Sequence, residues 1–322
     1  MAVVKKTINW SIFQGSFEEQ EKLKELLTFK DPRSDYLRKF RYRGWDGTVK
    51  LYRKRKNCIA IRTGLIDYLK TKFNNLQIID FLFPLEICDM LDIKDKLRDY
   101  QVQAIKAVHE NSLGIISLPT GGGKTWIGAG IFKSIRVNKY VFVVHREELF
   151  TQVYDFFVTL YGDEVGRVGG KYDEREKKYI VAMIQTLYSQ LKRGDHEWFF
   201  QIECMVIDEA HRASANSYKR VIDNCDGLLA KVGLTGTIPA EDTYAGLELR
   251  GILGSVIFDM SLKNLIERAY IVRPFVYMYR GCSRKYLYSL KTGKIFYLLT
   301  KQRIGYIYSM QGDENNSHMR RR

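Results

Sequence analysis

Short apolar runs alternate with longer amphipathic segments over most of the chain after residue 97. The runs are rich in β-branched and aromatic residues, as buried strands are, and they are Leu113–Leu118, Tyr140–Val144, Val165–Val168, Tyr179–Ile184, Ile202–Ile207 and Lys231–Leu234. The segment Arg146–Leu160 has a helical pattern instead. Strands that alternate with helices predict an α/β fold, with a parallel sheet covered by helices on both faces. Right-handed crossovers then bring the loops that follow the strands to one edge of the sheet, where ligands bind.

The first 90 residues have a different pattern, which predicts a small α/β unit of their own. Charges surround the leucines of Glu18–Phe29, which favours an amphipathic helix ended by Asp31-Pro32. We expect a helix over Leu65–Phe73, a strand over Leu76–Phe83 and a tight turn at Trp45–Thr48, where Asp-Gly is a hairpin signal. The predicted division of the chain is residues 1–90, a linker within 84–96, a second domain over 91–275 and a basic tail over 276–322.

The net charge, the cysteine spacing and the lengths of the apolar runs limit the kinds of partner and site that the chain could have. A chain of 322 residues is long for one domain, and its formal charge of +15 favours a polyanion such as nucleic acid, although basic charge alone is weak evidence. The five cysteines are scattered without a Cys-x-x-Cys pair, so neither a disulfide framework nor a cysteine metal site is predicted. We find no signal-type apolar core and no apolar run long enough for a membrane span.

Leu118–Thr125 lies between a predicted strand and a predicted helix and carries a candidate phosphate site. Three glycines, Gly121 to Gly123, let several backbone N–H groups point at one anion, and the helix that follows adds its positive end. Lys124 adds a charge, Thr125 offers a hydroxyl to Mg²⁺, and Thr120 belongs to the same loop. Leu118 stands where the strict G-x-x-x-x-G-K-[ST] pattern has its first glycine. We interpret this loop as a nucleotide-phosphate site; the alternative is a glycine-rich turn with a chance lysine.

A second candidate site follows the apolar run that ends at Ile207, where two carboxylates are adjacent. Asp208 could hold Mg²⁺ through water, and Glu209 could polarise the water that attacks the γ-phosphate of ATP. Two acids after a strand are common in proteins. Their place in the same alternating region as Lys124 favours the interpretation that Glu209, Lys124 and Asp208 form a hydrolytic site.

A basic and aromatic stretch in the first unit is the candidate nucleic-acid surface. Tyr36–Lys56 contains nine lysines and arginines against the single acid Asp46, with aromatic residues interleaved. Phosphate contacts are expected from the residues Arg41, Arg43 and Lys50, with Trp45 beside them. The alternative is a solvated basic hairpin whose aromatic residues pack a small core.

The run Asp208-Glu209-Ala210-His211 resembles the DEAH box of superfamily 2 helicases and translocases, and further motifs of that family follow in order over residues 97–275. The resemblance implies a RecA-like fold that binds ATP and Mg²⁺, with adenine read by Gln101 and His211 at the nucleotide. It also implies contacts to DNA from Arg146 and Gln152, from Gly170, and from Gln185 and Thr186. Thr235, Gly236 and Thr237 are similar to the segment that couples hydrolysis to domain movement.

Phe40–Leu51, with the helix that begins at Gly64, resembles the N-terminal domain of the UvsW-type phage helicases. That family acts on branched nucleic acids, namely stalled forks, Holliday junctions and R-loops. The resemblance therefore implies a branched DNA partner, or an RNA–DNA hybrid, and a place in the cytoplasm (the host cytoplasm for a phage-encoded chain).

The second RecA-like domain of this superfamily, with its Q-x-x-G-R-x-x-R segment, has no counterpart that we can find in the sequence. We expect a truncated or split chain, with a second polypeptide as the source of the missing domain. Three functions stay open: the N-terminal half of a DNA helicase, an ATP- and DNA-binding module without motor activity, and the translocase subunit of a restriction system.

Overall fold

The computed structural model describes residues 2–31, 34, 46–89 and 93–271, together with the backbone of four short strands between residues 275 and 309. The chain divides into two compact units, Met1–Ser261 and Leu262–Arg322. The finer division at residues 90 and 275 remains a prediction.

The N-terminal part of the first unit is built on a five-stranded sheet. Its strands are β1 (Ala2–Lys6), β2 (Trp10–Gln14), β5 (Tyr52–Lys54), β6 (Ile59–Arg62) and β7 (Leu76–Asp80), in the order β5-β6-β2-β1-β7. β1 and β7 are parallel and the other pairs are antiparallel. Helices α1 (Phe17–Leu26) and α2 (Ile66–Lys70) accompany the sheet, and Phe13, Leu23 and Ile61 belong to its buried core.

Three predicted boundaries in this region were too wide. α1 starts at a capping box of Ser16 and Glu19 and ends at Leu26, because Thr28–Lys30 (β3) pairs with Thr48–Lys50 (β4) as a two-stranded ribbon. α2 spans only Ile66–Lys70, and the following strand ends at Asp80. Asp46 does form a turn with Thr48, whose backbone N–H donates to its carboxylate at 2.9 Å.

The larger sheet has eight strands in the order β11-β10-β12-β9-β13-β14-β8-β15. Its strands are β8 (Leu113–Ser117), β9 (Tyr140–Val144), β10 (Val165–Gly169), β11 (Tyr172–Asp173), β12 (Tyr179–Met183), β13 (Cys204–Asp208), β14 (Ala230–Thr235) and β15 (Val256–Asp259). All neighbours are parallel except the β10–β11 pair, so the predicted parallel sheet is confirmed.

Helices connect these strands and cover the sheet. They are α3 (Asp99–Asn111), α4 (Lys124–Ser134), α5 (Glu147–Tyr161), α6 (Ile184–Arg193), α7 (Asn216–Asp223) and α8 (Tyr244–Leu253). The strand predicted over Tyr179–Ile184 ends at Met183, and Ile184 opens α6. This is the RecA-like arrangement, in which every loop after a parallel strand reaches the same edge.

The two sheets pack together within the first unit. A Cβ on Gly64 would lie 1.8 Å from the carbonyl oxygen of Arg250. The turn before α2 therefore approaches α8 so closely that there is no room for a side chain at this position. The predicted linker also packs on the larger sheet's helices. Arg136 N donates to Glu86 O and Cys88 N donates to Ser134 O, both at 2.8 Å, so residues 86–88 are held at the end of α4.

The second unit contains helix α9 (Leu262–Glu267) and the strands β16 (Phe275–Tyr279), β17 (Leu287–Tyr288), β18 (Ile295–Phe296) and β19 (Gly305–Ser309). β16 pairs with β19 and β17 with β18, both antiparallel. The helices of the described residues include none with the length and apolarity that a membrane span requires.

Candidate nucleotide and nucleic-acid site

The glycine loop predicted to bind phosphate connects β8 to α4. Gly121 and Gly123 have positive φ angles of 83° and 73°, and Gly123 is the N-cap of the helix that begins at Lys124. A Cβ on Gly123 would lie 2.3 Å from Nε2 of Gln101. Conformation and space therefore both require glycine here, and the loop presents its backbone N–H groups beside a helix N-terminus, as phosphate binding requires.

The ammonium of Lys124 lies on the inner side of this loop, with Nζ 3.3 Å from the carbonyl oxygen of Leu118 and 3.5 Å from that of Pro119. Thr125 follows it in the first turn of α4 and is half-buried, while Thr120 is exposed. The arrangement offers a cation, N–H donors and a hydroxyl to a bound phosphate and its Mg²⁺.

Asp208 ends β13, and only β14 separates β13 from the P-loop strand β8. Among the described residues, its Oδ1 atom is one of the few buried side-chain atoms without a hydrogen-bond partner. Burial raises the pKa of the Asp208 carboxyl; the backbone hydrogen bond from Glu209 and the charge of Lys124 oppose the rise, and the negative charge of Glu209 adds to it. A buried carboxylate oxygen without a partner, close to Lys124, fits a group that holds Mg²⁺ through water.

Glu209 follows in a left-handed conformation with φ of 48°, which is uncommon for a residue other than glycine. A single 3₁₀ turn, Ala210–Arg212, comes next, and the N–H of Arg212 donates to the carbonyl oxygen of Glu209 at 3.0 Å. The Glu209 side chain is half-exposed.

The predicted coupling segment lies between the two hydrolytic motifs, because Thr235 ends β14. Its carbonyl oxygen accepts from Leu118 N at 2.8 Å, and a Cβ on Gly236 would lie 3.0 Å from Leu118 O, so the segment contacts the P-loop directly. Nδ1 of His211 lies 3.3 Å from Oε2 of Glu209 and 3.3 Å from Oγ1 of Thr235. Thr237 N donates to the same Oγ1. His211 therefore joins the DEAH box to the coupling segment.

Gln101, predicted to read adenine, is only 3 % exposed. Its Oε1 accepts from Arg98 N at 2.9 Å, and its Nε2 lies 3.4 Å from Gly123 O. Its neighbour Tyr100 donates its hydroxyl to Gly122 O at 2.9 Å, a contact that the sequence analysis missed. Gln101 and Tyr100 thus hold the glycine loop, and the role of Gln101 toward adenine stays a prediction.

The predicted DNA contacts fall in two places. Arg146, Gly170, Gln185 and Thr186 follow β9, β10 and β12 at the same sheet edge as the P-loop, and Gln152 lies one turn further along α5. All are exposed except Thr186, which is half-buried. In the first unit, Lys50 forms an ion pair with Asp46 at 3.2 Å, while Arg41, Arg43 and Trp45 lie outside the described residues.

His145 connects two of these motifs in a way that the sequence analysis did not predict. Nε2 of Gln185 lies 3.2 Å from Nδ1 of His145 and 2.9 Å from its carbonyl oxygen. Nη1 of Arg212 lies 3.2 Å from Nε2 of the same ring. The only signal in the sequence was the position of Arg212, directly after the DEAH box.

The chain is similar to known helicase-related proteins. Residues 94–240 match the family model described as "Type III restriction enzyme, res subunit". The chain is 29% identical over 284 residues to the putative helicase 22 of a Sulfolobus islandicus filamentous virus, covering 80% of this chain and 47% of the relative. It is 25% identical over 285 residues to the ATP-dependent DNA helicase uvsW of Enterobacteria phage T4, covering 79% and 54%.

A crystal structure of the T4 UvsW helicase superposes with a TM-score of 0.64 at 22% identity, covering 79% of this chain and 98% of that one, which shows a shared fold. The chain spans about half the length of these two curated relatives. Residues 94–240 are therefore similar to the family of the restriction-enzyme res subunit, and the chain shares a RecA-like fold with the UvsW structure.

Proposed function

We propose that the chain is the ATP-hydrolysing and DNA-binding half of an ATP-dependent DNA helicase or translocase that acts on branched DNA. The observation that carries this proposal is the position of Lys124 and Asp208 at one edge of the parallel sheet, with a buried, unpartnered Asp208 oxygen close to the P-loop cation.

In this proposal the P-loop holds the phosphates of ATP through its N–H groups and Lys124. Thr125 and Asp208 would hold Mg²⁺, which would supply charge neutralisation at the phosphates. Glu209 orients the attacking water and accepts its proton, and His211 transmits the position of Glu209 to Thr235. An arginine finger from a second RecA-like domain, in this or another polypeptide, would add about 10³- to 10⁵-fold in turnover.

The proposal places DNA across the sheet edge that carries Arg146, Gln152, Gly170, Gln185 and Thr186. Exposed polar groups at loops after parallel strands support this assignment. Lys50 and the basic stretch before it would contact a second arm of a branched substrate, which agrees with the charge of +15. Forks, junctions and RNA–DNA hybrids are the substrates to compare.

The first test is ATP turnover by the purified chain with and without forked DNA, beside Glu209→Gln as the blank. The carboxylate-to-amide change keeps the size of the side chain and removes the base, so the variant should bind ATP but hydrolyse none. Turnover by the wild type that DNA stimulates above this blank would support the helicase assignment. Equal turnover in wild type and Glu209→Gln would show that the hydrolytic assignment is wrong for this chain.

The matched family model favours a second candidate, the translocase subunit of a restriction system. The substrate separates the two: a restriction translocase moves along unbranched duplex, whereas the proposed helicase prefers forks. If linear duplex stimulates turnover as strongly as a fork of equal length does, the result supports the restriction translocase and contradicts the branched-DNA proposal.

A further inference from the structure

Each of the two ring nitrogens of His145 lies opposite a hydrogen-bond donor from another residue. Arg212 has no acceptor atoms, so its Nη1 can only donate to His145 Nε2 across the 3.2 Å between them. Gln185 Nε2 donates to the backbone carbonyl of His145 at 2.9 Å, which identifies this atom as the amide nitrogen, and it also faces Nδ1 at 3.2 Å. Both neighbours of the ring are therefore donors.

A neutral imidazole has one N–H and one acceptor nitrogen, so it can accept from Gln185 or from Arg212 but not from both. A doubly protonated ring could accept from neither. Partial burial lowers the pKa of His145, and the charges of Arg212 and Arg146 lower it further, which keeps the ring neutral. The two contacts exclude each other, and the tautomer of His145 decides which one forms.

The two residues that compete for His145 belong to different proposed sites. Gln185 stands exposed in the first turn of α6, at the edge where nucleic acid is proposed to bind. Arg212 closes the 3₁₀ turn onto the carbonyl oxygen of Glu209, and its neighbour His211 contacts both Glu209 and Thr235. The guanidinium that contacts His145 and the turn that follows Glu209 are therefore joined through Arg212.

We propose that His145 is a positioning residue that alternates between Gln185 and Arg212 and so couples nucleic-acid binding to the conformation of the DEAH turn. The inference rests on the proposed function and names how its two sites communicate. A phosphate that accepts from the Gln185 amide withdraws that donor from Nδ1. One proton then leaves Nε2 to solvent and another reaches Nδ1 from solvent, and the freed Nε2 accepts from Arg212.

The test measures the dissociation constant of a fluorescent forked oligonucleotide with and without a non-hydrolysable ATP analogue and Mg²⁺. Coupling between two sites is typically 5- to 150-fold, so the wild type should show a ratio of at least about 5 between the two constants. Arg212→Ala should reduce the ratio to about 1 while the affinity for the fork alone changes less than about 3-fold, and His145→Ala should remove the ratio in the same way. Arg212→Lys, which keeps a charged donor, should restore part of the coupling.

Arg220→Ala is the matched control, because it removes an exposed arginine from the neighbouring helix α7 and should leave the ratio unchanged. A second readout is the ¹⁵N shift of the His145 ring, identified by its loss in His145→Ala. The ring should change from the Nε2–H to the Nδ1–H tautomer when the fork binds, which a purely structural histidine would not do.

Four outcomes contradict the proposal. A wild-type ratio near 1, or a wild-type ratio retained in His145→Ala, overturns the coupling while leaving ATP and DNA binding in place. If a variant loses affinity for both ligands but keeps the wild-type ratio of the two dissociation constants, the substituted residue has a structural role only. A wild-type chain that binds neither the fork nor the analogue overturns the proposed function itself, and the inference with it.

Discussion

At Gly123 and Glu209 the backbone adopts left-handed conformations beside the proposed nucleotide site, with φ of 73° and 48°. At Gly123 the conformation costs little free energy, because glycine has no Cβ. It connects the loop to the N-terminus of α4. At Glu209 a side chain is present, so the same conformation costs on the order of 1 kcal/mol. Residues in such uncommon backbone conformations often lie at functional sites. Here both residues lie in motifs with a proposed role toward ATP.

Gly123→Ala should weaken ATP binding at least about 10-fold, as measured by titration with a fluorescent ATP analogue, because the added Cβ distorts a loop whose N–H groups bind the phosphates. The new Cβ would lie 2.3 Å from Gln101 Nε2, so the loop or Gln101 must move. Gly194→Ala is the matched control: Gly194 has a similar φ of 79°, and a Cβ added there would have nothing within 4 Å, so the variant carries the strain without the contact. Equal binding by both variants would show that the contact with Gln101 does not shape the loop.

At the scale of elements, α7 holds the N-terminal sheet through its last residue, Asp223. Both terminal nitrogens of Arg62 donate to its carboxylate, Trp10 Nε1 donates at 2.9 Å, and Arg53 Nη2 donates at 3.2 Å. The guanidinium groups of Arg53 and Arg62 lie over the Trp10 ring at 3.9 and 4.2 Å from its centroid. β2, β5 and β6 thus converge on one carboxylate of the RecA-like part.

Asp223→Ala should destabilise the chain by about 3 kcal/mol, because it leaves the buried guanidinium of Arg62 without its counter-charge. The Arg62 side chain is only 8% exposed. Urea unfolding should show a lower midpoint.

The control is Glu86→Ala, which breaks an exposed ion pair between the predicted linker and Arg136; the Arg136 and Glu86 side chains are 69% and 62% exposed. Water already screens that pair, so the loss should stay below about 1 kcal/mol. If the two variants cost the same, the Asp223 cluster is not a main attachment of the N-terminal sheet.

Across the first unit, the two sheets meet around a fully buried lysine. Lys231 lies in β14, and its Nζ is 2.9 Å from Asn9 Oδ1 and 3.2 Å from Ile8 O of the N-terminal part. The pKa of Lys231 is lowered to about 7, mainly by burial and also by the charge of Arg62, while the charge of Asp223 opposes the change. The amine therefore donates hydrogen bonds between the two sheets largely without a charge at alkaline pH.

This lysine makes stability depend on pH with a known sign. Its pKa is about 10.4 in the unfolded chain. Between about pH 7 and 10 the unfolded state binds a proton that the folded state lacks, so the free energy of unfolding should rise with pH in this window by up to about 1.4 kcal/mol per unit. Below this window both states carry the proton, and the contribution is constant. Lys231→Met should remove the rise, as measured by urea unfolding at about pH 7, 8 and 9.

The comparison between variants isolates this residue, because burial also raises the pKa values of Cys204 and Cys225, which act in the opposite direction at alkaline pH in every variant. Lys70→Met removes an exposed lysine and should keep the wild-type slope. A wild-type slope in Lys231→Met would mean that the folded state keeps Lys231 protonated.

The sequence predicted the parallel sheet and its strands because each buried strand is a short local run of apolar residues. It predicted the glycine loop and the DEAH carboxylates for a related reason, since each motif is a short contiguous segment with its own backbone requirements. Helix and strand ends were less predictable: α1 stops at Leu26 because β3 pairs with β4 across a gap in sequence. The packing of residues 86–88 was not predictable from the sequence, because their partners lie at the end of α4.

Local patterns and their alternation were enough to indicate a parallel α/β unit with a candidate phosphate site, and the resemblance of the ordered motifs to a known family implied that the unit is RecA-like. Only the folded chain brings His145 between Gln185 and Arg212, sets Tyr100 against Gly122, and buries Lys231 against Asn9. Each of these contacts joins residues more than about 20 positions apart. Such contacts depend on strand order and on how the sheets pack, and no local pattern specifies either.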